Sequence, residues 1–309
     1  MTKFFISTIP FSSTSAAPIE MMAKHNIEYE INSYGRKITE KELANLIDKF
    51  DVLIAGTEPI TKKVLEKAKK LKVISRVGVG VDNIDLKYAQ KKGIEVKISS
   101  EGPVDAVAEY TIGLILSLTR QLLPACNKAK LGIWEKTLGK DIKDSTIGII
   151  GAGRIGKRVI EIIKSFSPNV INYYDPYSIA EIPGATEVEL EDLISSSDIL
   201  SFHLPLNEET KNLITIKELK AMKKEALIVN TSRGGIINEK DLYLALKDNI
   251  ISGAALDVFT IEPYEGKLKD LENCIISPHM APMSIQAREA MELDAIRQAI
   301  DALSIKNQK

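Results

Sequence analysis

Residues 146–156, Thr-Ile-Gly-Ile-Ile-Gly-Ala-Gly-Arg-Ile-Gly, constrain the fold more than any other stretch of this chain. A short apolar run with buried-strand character passes directly into a G-x-G-x-x-G turn made by Gly151, Gly153 and Gly156, and the turn opens a helical pattern. The first glycine permits the tight turn, the second lets backbone approach a pyrophosphate, and the third lets helix pack close on strand. Arg154 and Ile155 begin the helix, whose N-terminal amides and dipole favour bound phosphate. A second strand, Val170–Tyr174, follows and ends at Asp175. An acid about twenty residues beyond the glycines is placed to accept hydrogen bonds from adenosine ribose hydroxyls. It repels a 2′-phosphate, and Pro176-Tyr177-Ser178 supplies no cation to welcome one, so the expected cofactor is NAD rather than NADP.

The rest of the chain repeats this alternation of short apolar runs and helical patterns, the signature of parallel sheets covered by helices. Strands are expected at Phe4–Thr8, Ile27–Ile31, Val52–Ala55, Val73–Ser75 and Ile94–Ile98. A second series runs through Ile147–Ile150, Val170–Tyr174, Ile199–Phe202, Leu227–Asn230, Gly253–Leu256 and Cys274–Ser277, six strands in all. Thr39 with Glu42 is a capping-box pattern for a helix over 40–49, and Thr61 opens another over 64–70. A long helix is expected from Val104 to Leu131, and a last one from Ile285 to Leu303. The fold class is therefore α/β, with two doubly wound parallel-sheet domains.

At 309 residues the chain is long enough for two cores, and its formal net charge of -1 gives no reason to expect nucleic acid or an anionic membrane as partner. No apolar run approaches the length of about twenty residues that a membrane span needs. Cys126 and Cys274 lack metal or disulfide spacing, suit a reducing cytoplasm, and each reads as a small core residue. No metal site is expected.

Three further segments stand at strand ends of the second series. They are Asn230-Thr231-Ser232-Arg233-Gly234-Gly235, Leu256-Asp257-Val258-Phe259-Thr260-Ile261-Glu262-Pro263, and Ser277-Pro278-His279-Met280-Ala281. With the glycine turn and Arg76-Val77-Gly78-Val79-Gly80-Val81-Asp82-Asn83-Ile84-Asp85, they resemble the NAD-dependent D-2-hydroxyacid dehydrogenases, most closely the phosphoglycerate-dehydrogenase-like branch.

The resemblance implies a catalytic group of Arg233, Glu262 and His279. Histidine moves a proton near neutral pH, a carboxylate on its other ring nitrogen fixes the tautomer, and a guanidinium holds the substrate carboxylate. It also implies that His203 and Pro205 line the cofactor, that Thr231 belongs to the cofactor site, and that Asp257 lies near the nicotinamide amide. Backbone amides of Val77, Gly78, Val79 and Gly80 would hold the substrate carboxylate, with Arg76 adding charge. His25 reads as a surface residue. The family arrangement is a Rossmann cofactor domain (101–283) inserted into a flavodoxin-like substrate domain (1–100 plus 284–309), in a chain that forms homodimers.

The implied activity is hydride transfer between NAD(H) and a D-2-hydroxy acid or 2-keto acid, with phosphoglycerate-like acids included. Competing readings are a phosphite- or formate-type dehydrogenase on the same scaffold and an NAD-sensing binding protein. Glu262 counts against formate, since formate enzymes of the family lack that partner. Glu58 stands where a phosphate-binding cation would be welcome, which leaves Arg76, with Arg36 or Lys37 as further candidates whose positions the sequence does not give.

Overall fold

The computed structural model describes residues 2–99, 102–177 and 181–306, the last three by backbone alone. Residues 100 and 101, at the expected domain boundary, and Ser178, in the stretch read as lacking a cation, lie outside these. The chain divides into two compact units, Met1–Pro103 with Met283–Lys309, and Val104–Pro282.

The first unit is built on strands β1 (Lys3–Ile6), β2 (Glu28–Ile31), β3 (Val52–Ala55), β4 (Val73–Arg76) and β5 (Glu95–Ile98). They pair in parallel in the order β2-β1-β3-β4-β5, the flavodoxin-like doubly wound arrangement. Alternation along β1 sends its side chains into two cores. Phe5 packs with Leu43, Ile47, Phe50 and Val64 on one face, under helices α2 to α4 (Glu40–Leu46, Lys62–Lys67, Leu86–Lys91) taken together with their loops, while α1 (Ala17–Lys24) lies on the opposite face with Met22 in the second core. Phe4 and Ile6 pack on the other face with Met291, Ala295, Ile296 and Ala299 of the C-terminal helix, Ile285–Lys306. Each fully buried Ile, Leu or Phe contributes about 1.5–3 kcal/mol by leaving water. The capping box of α2 is present, Thr39 accepting from the Glu42 N–H and Glu42 accepting from the Thr39 N–H.

The second unit carries β6 (Thr146–Ile150), β7 (Val170–Tyr174), β8 (Thr186–Glu187), β9 (Ile199–Phe202), β10 (Leu227–Asn230), β11 (Gly253–Leu256) and β12 (Cys274–Ile276). Their order is β12-β11-β10-β9-β6-β7-β8, which is the Rossmann order with one strand added at an edge. The sheet has seven strands rather than six. The missed one, β8, is two residues long and exposed on both, so it leaves no apolar signature. One face is covered by α5 (Pro103–Thr119) and α7 (Arg154–Ile163), through Ala108, Ile112, Ile115, Val159, Ile160 and Ile163. The other is covered by α8 (Leu190–Ser196), α9 (Ile216–Ala221) and α10 (Glu239–Lys247), through Leu193, Leu219, Leu242 and Leu246.

The long helix expected over 104–131 is two helices, α5 and α6 (Leu122–Lys130), broken at Gln121, whose φ of 49° is left-handed. Pro124 is the cause: inside a continuous helix its ring would strike the carbonyl of Arg120, four residues back, whereas in the first turn of α6 it is tolerated. The same break corrects the reading of Cys126 as a core residue. It lies exposed on α6, while Cys274 is buried.

Candidate active site

Because every strand of the larger sheet is parallel to its neighbours, the loops after β6, β7, β9, β10, β11 and β12 all emerge at one edge. Chain order reverses between β6 and β9, the switch point where open α/β sheets bind ligands. The glycine turn lies there. Gly151 has φ +92°, and a Cβ on it would stand 2.5 Å from the His203 carbonyl oxygen. A Cβ on Gly156 would stand 2.0 Å from the Gly151 oxygen, so strand and helix meet with no room for a side chain. Gly153 differs: nothing lies within 4 Å of where its Cβ would be. The space before the α7 N-terminus is open, with Arg154 exposed and Ile155 half-buried in the first turn.

Asp175 follows β7. Its Oδ2 accepts from the Ala152 N–H at 2.8 Å and its Oδ1 from the Tyr177 N–H at 2.9 Å. The carboxylate is thereby fixed to the glycine turn, and each oxygen retains a lone pair for a ribose hydroxyl. His203, after β9, shares a hydrogen bond through Nε2 with the Ser201 hydroxyl at 2.9 Å. Its Nδ1 is buried and finds no partner among the described residues. Burial pushes the His203 pKa down to about 3, so the ring is neutral. The Pro205 carbonyl accepts from the Thr210 hydroxyl at 2.6 Å, which fixes the loop beyond it. An open glycine cradle, an anchored acid and an orphaned buried nitrogen at one sheet edge fit a dinucleotide.

The three candidate catalytic side chains leave three consecutive strands, β10, β11 and β12. His279 Nδ1 lies 3.1 Å and 3.2 Å from the two carboxylate oxygens of Glu262, and both side chains are half-buried. Glu262 also accepts from the Phe259 N–H at 3.2 Å, which orients the carboxylate. With Nδ1 engaged, Nε2 is the nitrogen left for a substrate. Arg233 is half-buried, and its Nη1 donates to the Ser232 carbonyl at 2.7 Å. Its loop is pinned by Asn230, which accepts from the Ser232 N–H at 3.0 Å and donates to the Arg233 carbonyl at 2.9 Å. The buried Thr231 hydroxyl lies 2.8 Å from that of Thr111.

Asp257 holds the His279 turn. Fully buried, it accepts through Oδ1 from the Ser277 hydroxyl at 2.6 Å and the Met280 N–H at 2.8 Å. Its Oδ2 takes the Ala281 N–H at 2.8 Å, and its backbone carbonyl takes the His279 N–H at 2.9 Å. Between those anchors His279 has φ 57°, a left-handed conformation that costs a non-glycine residue about 1–2 kcal/mol. Desolvation raises the Asp257 pKa above the usual carboxylate value, against the pull of its hydrogen bonds from Ser277, Ala281 and Met280. Sequence reasoning missed Ser277 and Thr111 as parts of this scaffold. Thr111 is one of several polar residues of α5, among them Asp105, Glu109, Ser117 and Thr119, so its residue type carried no distinguishing signal.

In the first unit, Val77 is buried in the core and Arg76 is folded onto its own loop, where it donates to the Val77 carbonyl. A Cβ on Gly78 would stand 2.7 Å from the Arg76 guanidinium, while Val79 is exposed and Gly80 half-buried. Glu58, at 1% exposure, accepts from the Ser7 hydroxyl and from the Gly56 N–H at 3.0 Å and 3.1 Å. Asn83 donates to the Glu58 carbonyl at 2.6 Å, tying that loop to the one that follows residue 80. Arg36 pairs with Glu42 at the surface. His25 caps α1 and is exposed.

A family model described as D-isomer specific 2-hydroxyacid dehydrogenase, NAD binding domain, matches residues 112–281. The D-3-phosphoglycerate dehydrogenase of Methanocaldococcus jannaschii is 42% identical over 262 residues, which cover 82% of this chain and 50% of that protein. This chain thus spans about half the length of that relative. The glyoxylate reductase of Thermofilum pendens is 38% identical over 277 residues, 85% of this chain and 81% of that one. Among solved structures, D-lactate dehydrogenase from Aquifex aeolicus, complexed with NAD and lactic acid, superposes with a TM-score of 0.87 at 25% identity, covering 99% of this chain and 96% of that one.

Proposed function

The chain belongs to the D-isomer specific 2-hydroxyacid dehydrogenase family, and from that premise we propose that it interconverts a small, unphosphorylated D-2-hydroxy acid and its 2-keto acid with NAD(H). The contact of His279 Nδ1 with Glu262, on loops beside the Arg233 loop, carries this reading. Gly151, Gly153, Arg154, Ile155, Gly156, Asp175, His203, Pro205 and Thr231 are the residues assigned to hold the dinucleotide. When bound it supplies or accepts the hydride. His279 gives the proton to the carbonyl oxygen during reduction and takes it back during oxidation, a role worth about 10²–10⁴ in rate. Glu262 holds the ring so that Nε2 meets the substrate. Arg233 grips the carboxylate and stabilises charge developing on the oxygen. In the first unit, amides of residues 77–80 are assigned to the substrate carboxylate, with Arg76 supporting their loop.

The restriction to unphosphorylated acids rests on Glu58. A phosphate needs a cation, since burying it unpaired is costly, and this loop presents a buried carboxylate instead. The names of the relatives suggest the panel: glyoxylate, hydroxypyruvate and lactate against 3-phosphoglycerate. NADH should be oxidised by small 2-keto acids, and 3-phosphoglycerate should drive NAD reduction at least about tenfold less efficiently. Tight NADH binding without turnover of any 2-keto acid would overturn the enzymatic reading in favour of an NAD-sensing protein.

The reading extends to a cytoplasmic homodimer. Leu122, Leu123, Leu131, Ile133, Trp134 and Leu138 are all exposed along α6 and the segment after it, Trp134 at 87%, an apolar strip suited to a second copy of the chain. Two cysteines without disulfide or metal-site spacing suit a reducing compartment. No helix among the described residues is long and apolar enough to cross a membrane. Trp134→Glu should shift the dimer to monomer in sedimentation equilibrium, and an unchanged mass would remove this strip from the interface.

A further inference from the structure

The segment after β10 carries Arg233 and runs straight into α10, whose first residue is Glu239. On one side it is fastened to residues 212–214. The Asn212 N–H donates to the Gly235 carbonyl at 2.8 Å, and Ile214 and Ile237 form a parallel bridge. On the other side it meets the segment after β11, which carries Glu262, and the meeting is backbone to backbone. A Cβ on Gly234 would stand 1.9 Å from the Phe259 carbonyl carbon, 2.2 Å from its oxygen and 2.4 Å from the Thr260 nitrogen. Carbon atoms rest at about 3.5 Å or more, so any side chain at 234 would drive the two segments apart by about 1 Å or more. Gly234 is not among the glycines with positive φ, so closeness alone demands a glycine there.

The Phe259–Thr260 peptide is held by a side chain as well. Glu239 Oε1 accepts the Thr260 N–H at 2.7 Å, a charge-assisted bond. One residue earlier the Phe259 N–H donates to Glu262 Oε1 at 3.2 Å, and the Glu262 oxygens lie 3.1 Å and 3.2 Å from His279 Nδ1. The Phe259 ring stacks on Tyr264 with centroids 4.1 Å apart, so the two rings close the turn that bears Glu262. Adjacent amides of one segment are thus bound by two carboxylates, one on α10 and one beside the imidazole. We propose that Glu239 is a positioning residue for Arg233, Glu262 and His279. With Gly234 in contact, it fixes the spacing between the loop that presents the guanidinium and the loop that presents the carboxylate partner of the imidazole. That spacing has to be right to about 0.5 Å, because one substrate must meet both side chains. The kinetic consequence rests on the proposed dehydrogenase reading. The structural one does not.

Glu239→Ala removes the acceptor, whereas Glu239→Gln keeps an amide oxygen for the Thr260 N–H and removes only the charge. Both variants lose the favourable charge at the α10 N-terminus, so comparing them separates the held loop from the helix dipole. In Glu239→Ala, kcat for keto-acid reduction should fall about 10–100-fold, with NADH affinity unchanged within about twofold. Glu239→Gln should stay within about threefold of the wild type in kcat. The chain contains three histidines, so the ring signal of His279 is assigned by its loss in His279→Asn. In ¹³C-labelled full-length protein the His279 Cε1–H cross-peak should move in Glu239→Ala and keep its wild-type place in Glu239→Gln, with His25 and His203 unmoved in both. A His279 signal that stays in place in Glu239→Ala overturns the proposal even if kcat falls, and so does a Gln variant as impaired as the Ala one. A wild type that turns over no 2-keto acid would sink the dehydrogenase reading, while the cross-peak would still decide the role of Glu239.

Discussion

Two carboxylates, one in each unit, do nearly the same local job. Asp257 in the second unit and Glu58 in the first are both shut away from solvent, at 0% and 1% exposure, and both accept a serine hydroxyl together with backbone N–H groups. The difference lies in what the donors flank. Those of Asp257 belong to residues either side of His279, so its hydrogen bonds hold the residue proposed as proton carrier in a backbone conformation it would not choose alone. Those of Glu58 are Ser7 and Gly56, which donate hydrogen bonds but neither take up nor release a proton near neutral pH. The same device therefore orients the proposed acid–base in one unit and fixes a loop in the other. Fixed acceptors on short loops let a parallel sheet build both kinds of site without new secondary structure.

The contrast breaks most directly at His279. Replacing His279 with Asn should lower kcat for keto-acid reduction by about 10²–10⁴-fold and leave NADH affinity unchanged, as expected when a general acid–base is removed. Glu58→Gln should leave kcat with small acids within about threefold and act instead on stability, by about 1–3 kcal/mol for a weakened buried acceptor. Stopped-flow kinetics beside urea unfolding would separate the two. Equal losses of kcat in both variants would erase the distinction.

A smaller effect concerns cofactor choice. Asp175→Ala removes the carboxylate anchored to Ala152 and Tyr177, and the ratio of kcat/KM for NADH over NADPH should fall by about 10–100-fold as ribose hydrogen bonds are lost and repulsion of the 2′-phosphate ends. An unchanged ratio would take Asp175 out of the ribose site.

Acid should bear unevenly on the two sheet edges. The folded-state pKa of His203 is depressed to about 3 from an ordinary value of 6.5, so its neutral form stabilises the fold above pH 6.5. That contribution is lost as pH falls through 6.5 toward 3, because the unfolded chain gains the proton first. The urea midpoint of the wild type should therefore decline more steeply between pH 6.5 and pH 4 than that of His203→Gln. Parallel slopes would mean that the ring is solvated and titrates normally. No histidine follows a strand of the first unit, so its local amide protection should hold better over the same window.

Much of this was legible in residue order. The glycine turn, the strand leading into it and the acid ending the next strand declare a dinucleotide fold because each needs a particular residue type at a particular spacing. The loops bearing Arg233, Glu262 and His279 stood out because a guanidinium, a carboxylate and an imidazole fall just after apolar runs. What stayed hidden depends on directions that sequence does not carry. β8 has no buried face, so no periodicity marks it. The break before α6 had a visible cause in Pro124, but one that acts four residues upstream. The hydrogen bonds of Asp257 to Met280 and Ala281 join side chain to backbone across a turn. Nothing in the identity of Met280 or Ala281 records that their amides are needed.

The smallest effect gives each unit the same perturbation. Thr39–Glu42 opens α2 in the first unit and Thr215–Glu218 opens α9 in the second, and both are reciprocal capping boxes. The first is solvent-exposed and shares Glu42 with Arg36, whereas the second is half-buried, with Glu218 accepting from the Thr215 N–H at 3.0 Å and its hydroxyl at 2.6 Å. An alanine at either cap should cost about 0.5–2 kcal/mol. The half-buried one should lie toward the upper end, because water replaces a lost acceptor less readily there. Amide exchange resolved by residue should show Thr39→Ala loosening the first turn of α2 and Thr215→Ala that of α9, each leaving the other helix protected. A larger loss at the exposed cap would mean that the Arg36–Glu42 pair, weak for a surface ion pair in general, depends on the box for its geometry.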